Sequence, residues 1–173
     1  MDTWEAIDSI RVVRQFADTP IEDEALTRIL NAGRRAGSSK NLQRWDFIVI
    51  RDRDRLKQLT AVGPFAQPIA GAAMAIALVT PDPHAEDAPL SVVFDIGRAA
   101  QNMVLTAWEL GIGSVPATIY EHERARELLG FPSDHHCEYL LSFGHPADRS
   151  VISAAKQRGG RVPLDDIVHY EHW

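Results

Sequence analysis

The spacing of apolar and polar positions changes several times along the chain, and each change predicts an element. Asp2 followed three residues later by Glu5 is a capping-box pattern, which predicts a first helix through about Ile10, after which Arg11 to Phe16 leads into a second. In that second helix Leu26, Ile29, Leu30 and Gly33 recur at i, i+3, i+4 and i+7, with Glu24, Arg28 and Arg34 on other faces and Gly37 as the expected stop. Trp45 to Ile50 reads as a strand. Asp52 caps a short helix holding Leu56 and Leu59, and the apolar run Met74 to Thr80 suits a buried strand. Pro81 to Pro89 is polar and proline-rich, hence a loop.

The longest helix is expected from about Ser91 to Leu110, stopped by Gly111. Val93, Ile96, Ala100, Met103, Val104 and Ala107 keep a helical period, and the small residues Gly97, Ala99 and Ala100 allow another backbone to come close, which suits a central or interfacial helix. Gly113 to Ile119 and Glu138 to Phe143 are strand candidates flanking a short helix from Glu121 to Leu129. Helices and strands mix without regular alternation, so an α+β fold is expected over a doubly wound sheet. With 173 residues, 45% of them hydrophobic, and no repeat or linker, the chain 1–173 is expected to be a single domain.

A net charge of -6 disfavours general affinity for nucleic acid or an anionic membrane. Between Arg28 and Lys57 basic residues outnumber acidic ones, which reads first as a solvated face and second as a local positive field. Cys137 is the only cysteine, so no internal disulfide forms. Its place before an apolar strand suggests a buried, inert thiol. The acidic start Met1 to Glu5 lacks a signal-peptide core, and the run Ile69 to Thr80 is too short to span a bilayer, so a soluble cytoplasmic protein is expected.

Candidate chemistry concentrates in a few segments. Ala36-Gly37-Ser38-Ser39-Lys40-Asn41-Leu42-Gln43-Arg44-Trp45-Asp46-Phe47 places hydroxyls, amides and backbone N–H groups between a helix end and a strand, a combination able to hold a flat polar ligand. Arg11 and Arg14 lie three apart and are able to present forks to one anion, although spacing alone reads as two surface arginines. Gly111 to Ile119 is glycine-bearing but is no dinucleotide fingerprint, and no P-loop sequence occurs. His135-His136-Cys137-Glu138, with His145 beyond, contains metal-ligand types. Adjacent histidines point to opposite sides of an extended chain, however, so a strand entrance with exposed imidazoles is expected and no metal.

The 36–47 segment resembles the Ala-Pro-Ser-Ser-x-Asn-x-Gln-Pro-Trp-x-Phe signature of the nitroreductase family, with Gly37 and Arg44 in place of its prolines. Three further motifs follow the same family in order. Arg11 and Arg14 match Arg-Arg-Ser-x-Arg, with Ile10 and Val12 replacing the first Arg and the Ser. Phe65 to Ala73 is similar to its Asn-Gln-x-x-Val-Ala-x-Ala segment, and Arg161-Val162-Pro163-Leu164-Asp165-Asp166-Ile167-Val168-His169 to its Arg-x-Pro-Leu-x-x-Val-Val-His ending.

The resemblance implies an α+β sandwich, a central mostly antiparallel sheet surrounded by helices. It implies a homodimer with FMN at the interface and an NAD(P)H-dependent flavin oxidoreductase passing electrons through flavin N5 to an organic acceptor such as a nitroaromatic or quinone. It places Arg11, Val12, Arg14, Arg158 and Arg161 around the flavin phosphate and pyrimidine, with Arg14 supplying charge near N1 and O2. Ser38, Ser39 and Asn41 would reach the flavin held mainly by the other subunit. Gln67 would meet the pyrimidine edge, and the backbone of Ala117, Thr118 and Ile119 would lie beside N5 and O4. No side chain is expected to act as a catalytic acid or base. The C-terminal tail Tyr170 to Trp173 would pack on the partner. Larger members carry a helical excursion where only Pro81 to Leu90 stands here, which implies an open site with bulky acceptors or another electron donor. Two alternatives stay open: a relative that spends reduced FMN on flavin cleavage or dehalogenation, and a flavin-binding module without enzymatic activity.

Overall fold

The computed structural model describes residues 1–153 and 160–173. Helix α1, Thr3–Ser9, begins with the capping box expected for it: the Asp2 carboxylate accepts from the Glu5 N–H at 2.8 Å, and Glu5 accepts from the Asp2 N–H at 2.9 Å. The next stretch leads toward the second helix without being helical. Residues 11–16 run as extended chain beside the sheet, with Val12 bridged in parallel to Ser114 and Phe16 antiparallel to Pro146. Helix α2, Asp23–Arg34, starts only after this bracket and closes at Arg35, before Gly37 is reached.

Four strands form one sheet in the order β1-β2-β4-β3, every neighbour antiparallel: β1 Asp46–Ile50, β2 Met74–Pro81, β3 Gly113–Thr118 and β4 His135–Gly144. The all-apolar run in β2 follows from its central place, since both faces of the strand are covered. One face carries Ala75, Ala77, Val79, Cys137 and Leu140 against α3 (Arg53–Gln58) and α5 (His122–Leu129), through Leu56, Ala125 and the neighbouring short 3-10 turns. On the other, Met74, Ile76, Leu141 and Phe143 meet α2 and the long helix α4 (Ser91–Glu109), through Ile29, Met103 and Ala107.

A β-bulge interrupts the β2–β4 register. Leu78 pairs with Tyr139, but Val79 pairs with Cys137, which leaves Glu138 as the extra residue. Strict alternation would place Tyr139 on the same face as Cys137. The bulge instead lets Cys137 and Leu140 both enter the α3/α5 core while His136, Glu138 and Tyr139 all line the cavity on the opposite side.

Helix α4 is only partly covered. Ala99, Met103 and Ala107 are buried, whereas Val93 is 59% and Phe94 67% exposed, and a Cβ built on Gly97 meets nothing. No helix among the described residues is long and apolar enough to cross a membrane. The basic stretch of Arg28 to Lys57 is a solvated face: Arg28, Arg51, Arg53 and Lys57 pair with Glu109, Asp23, Asp18 and Asp54 at exposed positions, where such pairs add little to stability.

Candidate functional site

The segment after α1 is held beside the sheet by backbone bonds that include the Val13 N–H to the Ser114 carbonyl at 2.9 Å and the Ala147 N–H to the Gln15 carbonyl at 3.0 Å. This register sets Arg11 and Val12 at the rim of a cavity of about 1080 Å³. Its floor is apolar, from Leu78, Pro116 and Leu141 of the sheet, and α4 supplies Ile96, Gly97 and Val104 as one wall. Arg161, far away in sequence, reaches the same cavity from the C-terminal segment. Two guanidiniums beside an apolar slot suit a ligand with an anionic end and a flat, mainly apolar body.

Strand β3 is an edge strand, and its backbone alternates between the ladder and the open side. The Ile119 N–H donates to the Glu138 carbonyl at 2.9 Å, and the Ser114 carbonyl faces outward to Val13. By that alternation Ala117 and Ile119 turn their N–H groups to β4. Of the three residues expected to offer amides to a ligand, Thr118 alone points its N–H to the open side, and Pro116 has none. None of the three is among the residues lining the cavity.

The hydroxyl- and amide-bearing loop lies elsewhere, on the other flank of α4. Ala36 and Trp45 at its two ends pack on Ala99. The buried Asp95 carboxylate of α4 accepts from the Ser39 N–H at 2.9 Å, and the Ser38 Oγ accepts from the Gln43 N–H at 3.0 Å. Lys40, Asn41 and Gln43 all have positive φ, at 51°, 56° and 49°. Such conformations are costly for side-chain-bearing residues and persist where their surroundings hold them. The Arg98 guanidinium lies against Gly37, where an added Cβ would require that flexible side chain to shift.

The expected site residues therefore divide. Arg11, Val12 and Arg161 share the cavity, while Ser38, Ser39 and Asn41 are gathered across α4 from it. Arg14 is exposed and does not line the cavity. Gln67 is exposed at the start of a 3-10 turn whose Ile69 packs on the α3/α5 side of the sheet. Arg158 lies outside the described residues. The thiol of Cys137 is buried, and burial pushes its pKa up to about 12, so it is inert as expected.

Sequence reasoning missed Asp95, although an acidic residue inside an otherwise apolar helix was a usable signal. It also misjudged the histidines. The His136 side chain is only 12% exposed, and its Nε2 lies 2.9 Å from Glu138 Oε2. His122, from the first turn of α5, and His84, from the loop after β2, stack around it with ring centroids at 4.6 and 5.1 Å. The i, i+2 pair His136 and Glu138 on one strand face was legible, whereas its two remote neighbours were not.

The nitroreductase family model matches residues 7–67 and 62–145. A protein of Archaeoglobus fulgidus, provisionally named NADH dehydrogenase/NAD(P)H nitroreductase, is 36% identical over 94% of each chain. An FMN-dependent nitroreductase of Clostridium difficile superposes with a TM-score of 0.83 at 27% identity, covering 97% of this chain and 98% of that one. The NADPH:FMN oxidoreductase of Vibrio harveyi, solved with NAD+, gives 0.83 at 25% identity over 98% of this chain and 76% of its own. The chain belongs to the nitroreductase family and is by that membership an oxidoreductase.

Proposed function

We propose that the chain, taken as one unit from 1 to 173, works as a homodimeric FMN-dependent NAD(P)H oxidoreductase with an organic acceptor such as a nitroaromatic or quinone. The observation that carries this reading is the cavity joining Arg11, Arg161 and the open edge of β3 over an apolar floor. The residues fit FMN. Guanidiniums suit its phosphate, and Leu78, Pro116 and Leu141 suit the flat ring. When bound, FMN would take a hydride from reduced nicotinamide at N5 and return the electrons to the acceptor.

The chain's own contribution is orientation and charge. Arg11 and Arg161 anchor the anionic end and stabilise electron density arriving on the ring, a role the exposed Arg14 is less well placed to fill. Pairing of two copies through the uncovered flank of α4 would bring the 37–43 loop of one chain toward the cavity of the other, because both border the same helix. The exposed tail, with Tyr170 81% and Trp173 97% accessible, has apolar surface to lay on a partner. Only Asp82 to Leu90 stands between β2 and α4, so the site stays open to bulky acceptors.

FMN titration of the purified protein and of Arg11→Ala and Arg161→Ala tests the assignment. A lost charge-assisted contact of about 1.5–3 kcal/mol predicts roughly 10- to 150-fold weaker binding for each variant. Unchanged affinity in both would remove the cavity as the flavin site.

A further inference from the structure

We infer that His122, His136 and Glu138 form a site for one divalent transition-metal ion in the wall of the cavity. One ligand atom from each of these residues lies within 4.8 Å of the others, and all three side chains are partly buried. The donors come from packed elements, two from β4, His136 and the bulge residue Glu138, and one from the first turn of α5, so their spacing is set by the fold rather than by a loop.

A tetrahedral site with metal–nitrogen bonds of about 2.0–2.1 Å needs donors roughly 3.3 Å apart. The 2.9 Å approach of His136 Nε2 to Glu138 Oε2 is already within that scale, and a His122 ring nitrogen lies within 4.8 Å of both donors. A second, independent observation concerns His122 itself. Its Nδ1 is shielded from solvent and has no hydrogen-bond partner among the described residues, whereas buried polar atoms are nearly always paired. The cluster thus contains an imidazole that the protein leaves unsatisfied.

Two imidazoles and one carboxylate favour a borderline ion such as Zn2+, Co2+ or Ni2+ over Ca2+ or Mg2+, which prefer all-oxygen sets. Three protein ligands leave a fourth position for water. Asp82 and His84 flank His136 from the loop after β2, form a second possible triad with it, and stand as outer partners here. The site is independent of the flavin assignment, since it needs neither the arginines nor a partner subunit.

The test uses the full-length protein, stripped with a chelator and titrated with Co2+, then with Zn2+ in competition. The red d–d absorption of Co2+ reports tetrahedral coordination without relying on turnover. The expected result is one Co2+ per chain, displaced by Zn2+. Affinity should fall about 100-fold or more in His122→Ala and His136→Ala, beyond what an outer partner carries, and clearly in Glu138→Gln. His84→Ala, an outer partner on the exposed loop, should keep the site and cost at most the roughly 10- to 100-fold of such partners. Circular dichroism checks that each variant is folded, and Glu138→Gln serves if His136→Ala is not. Absence of saturable Co2+ binding, binding untouched by His122→Ala or Glu138→Gln, or loss caused by His84→Ala alone would each overturn the assignment.

Discussion

At the residue scale, Cys137 shows how burial converts a reactive group into a packing one. Its pKa rises from an ordinary 9.0 to about 12, mainly by desolvation. In the unfolded chain the thiol ionises from about pH 9, while in the folded chain it holds its proton to about 12. The unfolded state is thus favoured as pH rises between those values, with a slope of up to about 1.4 kcal/mol per unit. The native thiol should resist alkylation at neutral pH, and Cys137→Ala should flatten the alkaline limb of stability measured by urea unfolding at stepped pH. Asp95 is buried to a different end, its side chain accepting the Ser39 N–H. Asp95→Ala should cost about 1–3 kcal/mol in the same assay, because that N–H loses its partner.

At the element scale, much of the architecture was legible in the pattern. The capping box at Asp2, the Asp52 cap of α3 and the apolar run of β2 appear where local chemistry placed them. The extended form of residues 11–16 had no local signal, because it is fixed by pairing with Ser114 and Pro146, far along the chain. Gly37 was assigned to a helix stop, whereas the helix closes at Arg35 and Gly37 lies against the Arg98 guanidinium. The histidine cluster escaped for the same physical reason: its members meet through the bulge at Glu138 and the docking of α5, neither of which has a local signal. The pairing of residues 11–16 also yields a prediction. A Cβ on Gly113 would lie 2.5 Å from the buried Val13 Cβ, so Gly113→Ala should destabilise by about 1–3 kcal/mol, and FMN affinity should fall with it because Arg11 is two residues from Val13. A thermal melt and an FMN titration read the two effects separately.

For the whole molecule, α4 carries the argument. One flank holds the strained 37–43 loop through Asp95 and Ala99, and another lines the cavity with Ile96, Gly97 and Val104. Because nothing lies within 4 Å of a Cβ at Gly97, Gly97→Glu should fold as well as the original chain yet disrupt pairing through this helix. Light scattering should then find monomers, with FMN affinity reduced alongside. Retained dimers would show that the copies pair elsewhere.

The motifs at 11–14, 36–47 and 161–169 carried the candidate site in the sequence, but which of their residues share a cavity depended on tertiary placement. The most direct measurement of the central claim is the visible spectrum of the purified protein after FMN loading and removal of excess, followed by anaerobic addition of NADH or NADPH. Retained flavin that bleaches with at least one donor is the expected result. Failure to retain flavin, or retained flavin that neither donor bleaches, would contradict it.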